Sequence, residues 1–568
     1  MIHDYLSRLD DDVFFELFNS EFSIKELSIL DIDDSAKSKL HDKKFIISNA
    51  GNYLQEKIIS NNKYLTLICT ILDSNEQSDL SLKLFQRNLT AQQFLADVYS
   101  LDLNDKKIIN ILNSFFGLHH NPKSDSIEYK THFQHNKGNF YELLNYQFIA
   151  KEQIISILDT NKILPRMILH MPTGTGKTKT AVHTVIHDYV FNKQGKGIII
   201  WLAHTHELLK QAYKAFENAW NVLGKKDINV HFNDIDSIDT EYSVYFISYQ
   251  KLISTQKNKT DYFKNIRKNA VAIVADEAHK CLADETRKSI EQLMRMFEFD
   301  NNKYLLGLTA TPGRQLFNFD ENMENQILSE MFEKRIISIN PEKIESIRID
   351  ESLLITDSIK NIFDNDTKVI HYFQKNRILA KIIREEIEYR ESVVEVDKAK
   401  LKKSASGDFS RIVLDKISKY SSRNNTIIRR LIKLHNEKVP TILFACSVQH
   451  GQYLELIMSL LGISAVGVYG HTSPITRDKI IDGFNNGEFN ILINCEVLTT
   501  GFDSPRIKCV FITRPTNSIV LYSQMLGRGL RGPRMGGNET CLLIDIKDNL
   551  GKFSDENQAF SYFEEYWR

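Results

Sequence analysis

The segment MILHMPTGTGKTKTAVHTVIHDYV, residues 167–190, runs from a short apolar stretch through a glycine-bearing turn into a helix-like pattern. That order of strand, turn and helix gives the turn its meaning. Gly174 and Gly176 allow successive backbone N–H groups to close around phosphates, and the following helix points the positive end of its dipole at them. Pro172, Thr173, Gly174, Thr175, Gly176, Lys177 and Thr178 are the expected cradle. Lys177 is expected to reach the β- and γ-phosphates and Thr178 to ligate Mg²⁺, so the implied ligands are ATP and Mg²⁺.

Similar strand-like runs lie on either side. MILHM (167–171), GIIIWLA (197–203), SVYFIS (243–248), AVAIVAD (270–276) and YLLGLTA (304–310) form one series. TILFACS (441–447), AVGVYG (465–470), FNILINC (489–495), CVFITR (509–514) and TCLLID (540–545) form another. Near-continuous apolar strands alternating with helices indicate parallel sheets covered on both faces. The expected class is α/β with two such sheets in tandem. Only Gly51, Gly117 and Gly138 of the 24 glycines precede residue 174. The first 140 residues instead show helical spacing, as in Phe94-Val98-Leu101 after Thr90 and Ile108-Ile109-Leu112 after Asn104. The expected domains are a mostly helical one at 1–140, a nucleotide-binding one at 141–335, a helical, basic extension at 336–435, and a second sheet domain at 436–568.

The run AVAIVADEAHK (270–280) ends a buried strand in Asp276-Glu277-Ala278-His279. Strand ends of a parallel sheet face one crevice, so these carboxylates are expected beside the phosphate turn. Asp276 would hold the Mg²⁺ shell and Glu277 would polarise the water that attacks the γ-phosphate. His279 has no partner at a zinc spacing and reads as a coupling residue.

Composition narrows the class further. A chain of 568 residues suggests about four units at ~150 residues each. With 42% hydrophobic and 26% charged residues it is neither disordered nor collagen-like. The balance of 72 basic and 73 acidic residues excludes polyanion binding by bulk charge alone. That balance hides a gradient: residues 1–34 hold 10 acidic and 2 basic residues, whereas residues 368–438 hold 18 basic and 9 acidic. Six scattered cysteines without a Cys-x-x-Cys pair exclude a disulfide framework and structural zinc. The acidic start MIHDYLSRLDDD is unlike a signal peptide, and no apolar run nears the ~20 residues that span a bilayer. The expected location is cytoplasmic, with no membrane partner.

MPTGTGKT, DEAH, LTATP (308–312) and QMLGRGLRG (524–532) occur in an order that resembles the superfamily 2 nucleic-acid helicases and translocases. Within these the chain is most similar to the DEAH-type branch of restriction-enzyme motor subunits and excision-repair helicases. The resemblance covers roughly residues 140–550 and implies two RecA-like motor domains. It places Gln153 at the adenine-reading position, with Gln147 as a competitor. LAHTHELLKQ (202–211) and ISYQKL (247–252) match backbone-contacting segments, and Thr309 and Thr311 the link from hydrolysis to the nucleic acid. In the second motor domain Thr500-Gly501-Phe502-Asp503 matches a segment touching both ATP and the strand, and Gln524, Arg528 and Arg531 the final motif. Arg528 and Arg531 are three apart, so on a helix both would share a face and point at the γ-phosphate.

The resemblance implies an ATP-dependent DNA helicase or double-stranded DNA translocase, with a role in bacterial restriction or anti-phage defence. An RNA helicase and a nucleic-acid-gated ATPase switch are the alternatives. Asp125, Glu128 and Lys130 only superficially match a nuclease strand. A cutting partner would then be a separate nuclease, recruited through the N-terminal domain.

Overall fold

The structure is a computed structural model that describes residues 2–21, 61–103, 105–116, 129–135, 142–160, 163–235, 239–295, 303–313, 321–339, 369–389, 408–499 and 501–547, with a few residues between 38 and 58. Thr500, Asp125, Glu128 and most of the 400–408 loop lie outside the described residues. The chain divides into two compact units: residues 1–126, 387–395 and 411–495, and residues 127–386, 396–410 and 496–568.

The first unit begins with helices Ile2–Arg8, Asp11–Glu21, Asn62–Cys69, Ser74–Phe85, Ala91–Tyr99 and Lys106–Phe115. Their starts follow capping chemistry. Asp73 accepts from Asn75 N at 2.8 Å and Glu76 N at 2.9 Å, while Glu76 reaches back to Asp73 N at 2.9 Å. Thr90 caps Ala91–Tyr99 as its position suggests, whereas Lys106–Phe115 is capped by Asp105 through Lys107 N at 2.8 Å. The helical stripes bury Leu65, Leu80, Phe94, Val98, Leu112 and Phe116. Helices Arg411–Ile417 and Ser421–Asn436 follow in the same unit, with strands β10 (Thr441–Phe444), β11 (Ala465–Val468) and β12 (Ile491–Asn494). β12 runs parallel to both β10 and β11.

The second unit holds an eight-stranded sheet in the order β1-β4-β5-β3-β6-β7-β2-β8. Its strands are β1 (His132–Phe133), β2 (Arg166–His170), β3 (Ile198–Ala203), β4 (Ile228–Phe232), β5 (Ser243–Ser248), β6 (Ala270–Asp276), β7 (Tyr304–Thr309) and β8 (Ile336–Ser338). Every pair is parallel except β1 against β4. Ile168, Ile200, Tyr245, Ile273 and Leu305 form its fully buried centre, each of the four aliphatic side chains contributing about 1.5–3 kcal/mol by burial. The unit also holds β9 (Lys381–Ile387), β13 (Cys509–Ile512) and β14 (Thr540–Ile546), the last two parallel. Two parallel-sheet, RecA-like domains are thus present, and each of the ten strand-like runs falls on a strand.

Register decides where the chemistry converges. Asp276 pairs with Leu308, and His170 with Thr309. The ends of β2, β6 and β7 therefore deliver the phosphate turn, the acidic pair and Thr309 to one edge of the sheet. The strand β9 differs from the helical reading of the inter-motor stretch. KIIREEI carries helix-favouring charges and exposes Ile383, and its strand form comes from its place beside β14 at the sheet edge.

Candidate functional site

The turn 172–178 adopts a backbone that only glycine takes without strain. Gly174 and Gly176 both have φ +84°, and a Cβ on Gly176 would lie 2.4 Å from Gln147 Nε2. Gly176 caps helix Lys177–His187, and Thr175 Oγ1 donates to Pro172 O at 2.7 Å. Lys177 Nζ donates to Met171 O at 3.0 Å and Pro172 O at 3.3 Å. These carbonyls hold the ammonium over the turn. Thr173 packs close to Gly527, whose added Cβ would lie 2.6 Å from Thr173 Cγ2. Thr178 follows Lys177 in the first turn of the helix and is half-buried.

The glutamine at this turn is Gln147. Its Nε2 donates to Thr175 O at 2.9 Å, and its Oε1 accepts from Leu144 N at 3.0 Å. Tyr146, which sequence reasoning missed, donates from its hydroxyl to the same Thr175 carbonyl at 2.8 Å. Gln153 is buried on the same helix, Asn145–Asp159, but its Oε1 has no hydrogen-bond partner among the described residues. Six residues on, at 100° each, carry Gln153 about 240° round the helix from Gln147. The turn thus meets the residue that stood as the competitor.

Asp276 is buried and Glu277 nearly so. Glu277 takes a left-handed backbone, φ +51°, and its N–H donates to Asp276 Oδ1 at 3.0 Å. Burial, with the Glu277 charge adding to it, pushes the Asp276 carboxyl up to about 7. Burial likewise raises Glu277, opposed by the charges of Lys177, Arg528 and Lys280. Lys177 is pushed the other way by burial, down to about 8, although Glu277 and Asp276 favour its charged form. His279 is buried, with Nδ1 3.4 Å from Glu277 Oε2 and 3.3 Å from Thr309 Oγ1. Thr309 Oγ1 donates to Thr311 O at 2.8 Å and accepts from Thr311 N at 3.0 Å. A continuous polar path therefore leads from Glu277 through His279 to Thr309 and Thr311.

The arginine side separates the two guanidinium groups. Helix Ile519–Gly527 ends before Arg528, and Arg531 lies beyond it in a bridge with Leu379. The shared helical face expected from their spacing is therefore absent. Arg528 donates through Nε to Gln524 O at 3.2 Å and through a terminal nitrogen to Phe502 O. Burial lowers its pKa against the opposing charges of Asp503 and Glu277, which lie within electrostatic reach. Arg531 instead pairs with Asp503 Oδ2 at 2.7 Å and donates to Met535 O. Gln524 is buried, and its Nε2 has no hydrogen-bond partner among the described residues. Gly501, φ +69°, packs against the helix His206–Leu223: a Cβ there would lie 2.8 Å from Glu207 Cβ.

Of the segments with a backbone-contacting resemblance, Thr205 caps His206–Leu223, accepting from Leu208 N at 3.3 Å. Ser248 caps Tyr249–Asn258, accepting from Lys251 N at 3.1 Å. Tyr249 was not singled out by sequence. Its buried hydroxyl donates to Asp276 O at 2.9 Å, tying this segment to the acidic strand end. Only its position one residue past a strand end could have drawn attention to it.

Residues 140–314 match the family model described as "Type III restriction enzyme, res subunit", and residues 423–532 match "Helicase conserved C-terminal domain". IRC3 of Saccharomyces cerevisiae, whose name assigns it to the ATP-dependent helicases, is 26% identical over 390 residues, covering 67% of this chain and 48% of that one. The type I restriction enzyme EcoAI endonuclease subunit of Escherichia coli is 25% identical over 429 residues, covering 72% and 47%. The chain thus spans about half the length of these two curated relatives. The DNA-bound structure of the helicase MrfA is similar at a TM-score of 0.47 and 15% identity, covering 76% of this chain and 52% of that one. With these two models matched in order along two parallel sheets, the chain carries the domains of a superfamily 2 helicase and resembles restriction-enzyme motor subunits.

Proposed function

We propose that this protein is an ATP-dependent nucleic-acid motor, and specifically a DNA helicase or double-stranded DNA translocase. The observation that carries the reading is the convergence of Lys177, Asp276, Glu277 and Arg528 within one electrostatically coupled set. Such a set has the parts for phosphoryl transfer to water. Lys177 neutralises the β- and γ-phosphates once they displace its contacts to Met171 and Pro172 carbonyls. Glu277 accepts the proton of the attacking water, its basicity raised by burial. Arg528 faces the charge that develops on the γ-phosphoryl group. Arg531, paired with Asp503, orders the loop on which Arg528 rests. Gln147 and Tyr146 fix the turn by donating to its Thr175 carbonyl.

The donor set fits Mg²⁺. Asp276 offers a buried hard oxygen whose ionisation is disfavoured until a cation arrives, and Thr178 offers a hydroxyl in the first helical turn. When bound, the ion neutralises charge on the β- and γ-phosphate oxygens. His279, Thr309 and Thr311 connect Glu277 to the segment that resembles a nucleic-acid link, and Tyr249 connects Asp276 to another. Hydrolysis can thereby be tied to alternating grips on a phosphate backbone, which require donors and positive charge rather than base readout.

The preference for DNA, and for a restriction or anti-phage role with a separate nuclease, is supported by the similarity to restriction-enzyme chains. Among the described residues no helix is long and apolar enough to cross a membrane, and none of the six cysteines forms a disulfide. A cytoplasmic location is part of this proposal. Strand-displacement and triplex-displacement assays on matched DNA and RNA test the reading. Displacement on DNA fuelled by ATP is expected. Displacement confined to RNA would assign an RNA helicase, and stimulated turnover without displacement would assign a switch.

A further inference from the structure

The loop Arg514-Pro515-Thr516-Asn517-Ser518 leads directly into helix Ile519–Gly527, which carries Gln524 and delivers Arg528 at its end. Its polar groups converge on one carboxylate far away in sequence. Asp408 is buried, and its Oδ1 accepts from Thr516 Oγ1 at 3.1 Å and Asn517 N at 2.9 Å. Its Oδ2 accepts from an Arg514 terminal nitrogen at 3.2 Å. Thr516 Oγ1, oriented by that bond, accepts in turn from Ser518 N at 3.0 Å. Ser518 is the helix N-cap, accepting from Leu521 N at 3.3 Å. The other terminal nitrogen of Arg514 pairs with Glu496, which precedes the segment holding Phe502 and Asp503. One buried carboxylate therefore organises the start of the arginine helix and, through Arg514, the approach to the loop whose Phe502 carbonyl receives Arg528.

We propose that Asp408 is a positioning residue for ATP hydrolysis, fixing the launch of helix Ile519–Gly527 so that Arg528 meets the γ-phosphate. This inference rests on the role given above to Arg528. An anion is required here because a single group must accept from a hydroxyl, a backbone N–H and a guanidinium at once, and charge-assisted bonds of this kind are short and directional. A buried ion pair is weak evidence for stability in itself. The geometry instead points to orientation: each donor lies within five consecutive residues that set the helix axis. A side chain about nine or more residues further along the chain moves when that axis tilts, and a misplacement of about 1 Å can cost about a hundredfold in rate.

The test uses the full chain with Asp408→Asn, which keeps the shape and removes the charge, and Thr516→Val, which removes only the hydroxyl relay. Turnover is measured with saturating DNA, alongside binding stoichiometry and affinity for a fluorescent non-hydrolysable ATP analogue. Asp408→Asn is expected to lower kcat by ten- to a hundredfold, with analogue affinity and stoichiometry within about twofold of the parent. Thr516→Val should lower kcat in the same direction by less. Unchanged kcat in both variants would overturn the proposal. So would a loss of bound analogue in step with lost turnover, since that marks a merely structural role. If Asp408→Asn fails to fold, Thr516→Val alone decides by the same split. Arg528→Ala is run in parallel. Full turnover in that variant would sink the arginine assignment itself, whereas a dead Arg528→Ala beside an active Asp408→Asn would sink only the positioning role.

Discussion

Burial brings Asp276 up to about 7 and Lys177 down to about 8, so both stand closer to neutrality than exposed groups would. A bound polyanion with its metal ion reverses that penalty for each, which is why such groups suit a nucleotide site. Lys177→Ala is expected to abolish stimulated ATP hydrolysis. Glu277→Gln should retain nucleotide binding while turnover falls by about 10²–10⁴-fold, as loss of a general base does. Phosphate release measured beside nucleotide affinity checks both, and near-normal turnover in either variant would refute the assignment. The two glutamines offer a sharper contrast. Gln147→Ala removes the bond to the Thr175 carbonyl and should raise the KM for ATP several-fold, roughly what one lost hydrogen bond of ~1 kcal/mol implies. Gln153→Ala, on another face of the same helix, should leave KM unchanged. The opposite order would restore the adenine-reading position to Gln153.

At the scale of elements, Gly501 shows how a loop is fitted to a helix. Its positive φ and its approach to Glu207 and Leu208 leave no room for a side chain. Gly501→Ala should leave the far-ultraviolet circular dichroism unchanged while nucleic-acid-stimulated turnover falls about tenfold or more, since strain of about 1–3 kcal/mol is relieved by moving the loop. Full stimulation in that variant would show that the contact is dispensable. The strands of both sheets were legible because parallel strands buried on two faces read as continuous apolar runs. The glycine-bearing turn 172–178 and the pair Asp276-Glu277 could be placed at strand ends because each is a contiguous motif following an apolar run. Other features were hidden for physical reasons. β9 takes its form from a neighbour rather than its own pattern. Arg531 leaves the helix that spacing alone assigned to it. Asp408, Tyr146 and Tyr249 act through contacts distant in sequence, which no local pattern announces.

For the whole molecule, buried imidazoles set an acid limit. Burial lowers His183 and His204 to about 4 and His450 to about 3. His450 is held neutral: Nδ1 accepts from Cys446 N at 3.2 Å, leaving Nε2–H for Asn424 Oδ1 at 3.1 Å. These groups bind protons more readily in the unfolded chain, near pH 6.5, than in the folded one. Their contribution to stability is present above pH 6.5 and is lost as pH falls towards 4, because the unfolded state there takes up the extra protons. Urea midpoints measured from pH 7 to 4.5 should therefore fall, and His450→Gln should flatten the slope. A midpoint that rises on acidification would contradict the neutral assignments. Charge is distributed as unevenly as burial. The excess of basic residues across 368–438, against the acidic first 34, suits a chain that meets a polyanion locally while staying near neutral in total. We propose that nucleic acid drives ATP turnover by this chain. It is tested most directly by steady-state ATP turnover of the full chain with and without single-stranded DNA, duplex DNA and matched RNA. Low basal turnover, raised strongly by DNA and abolished by Glu277→Gln, is the expected result. Turnover that no polynucleotide changes would contradict it.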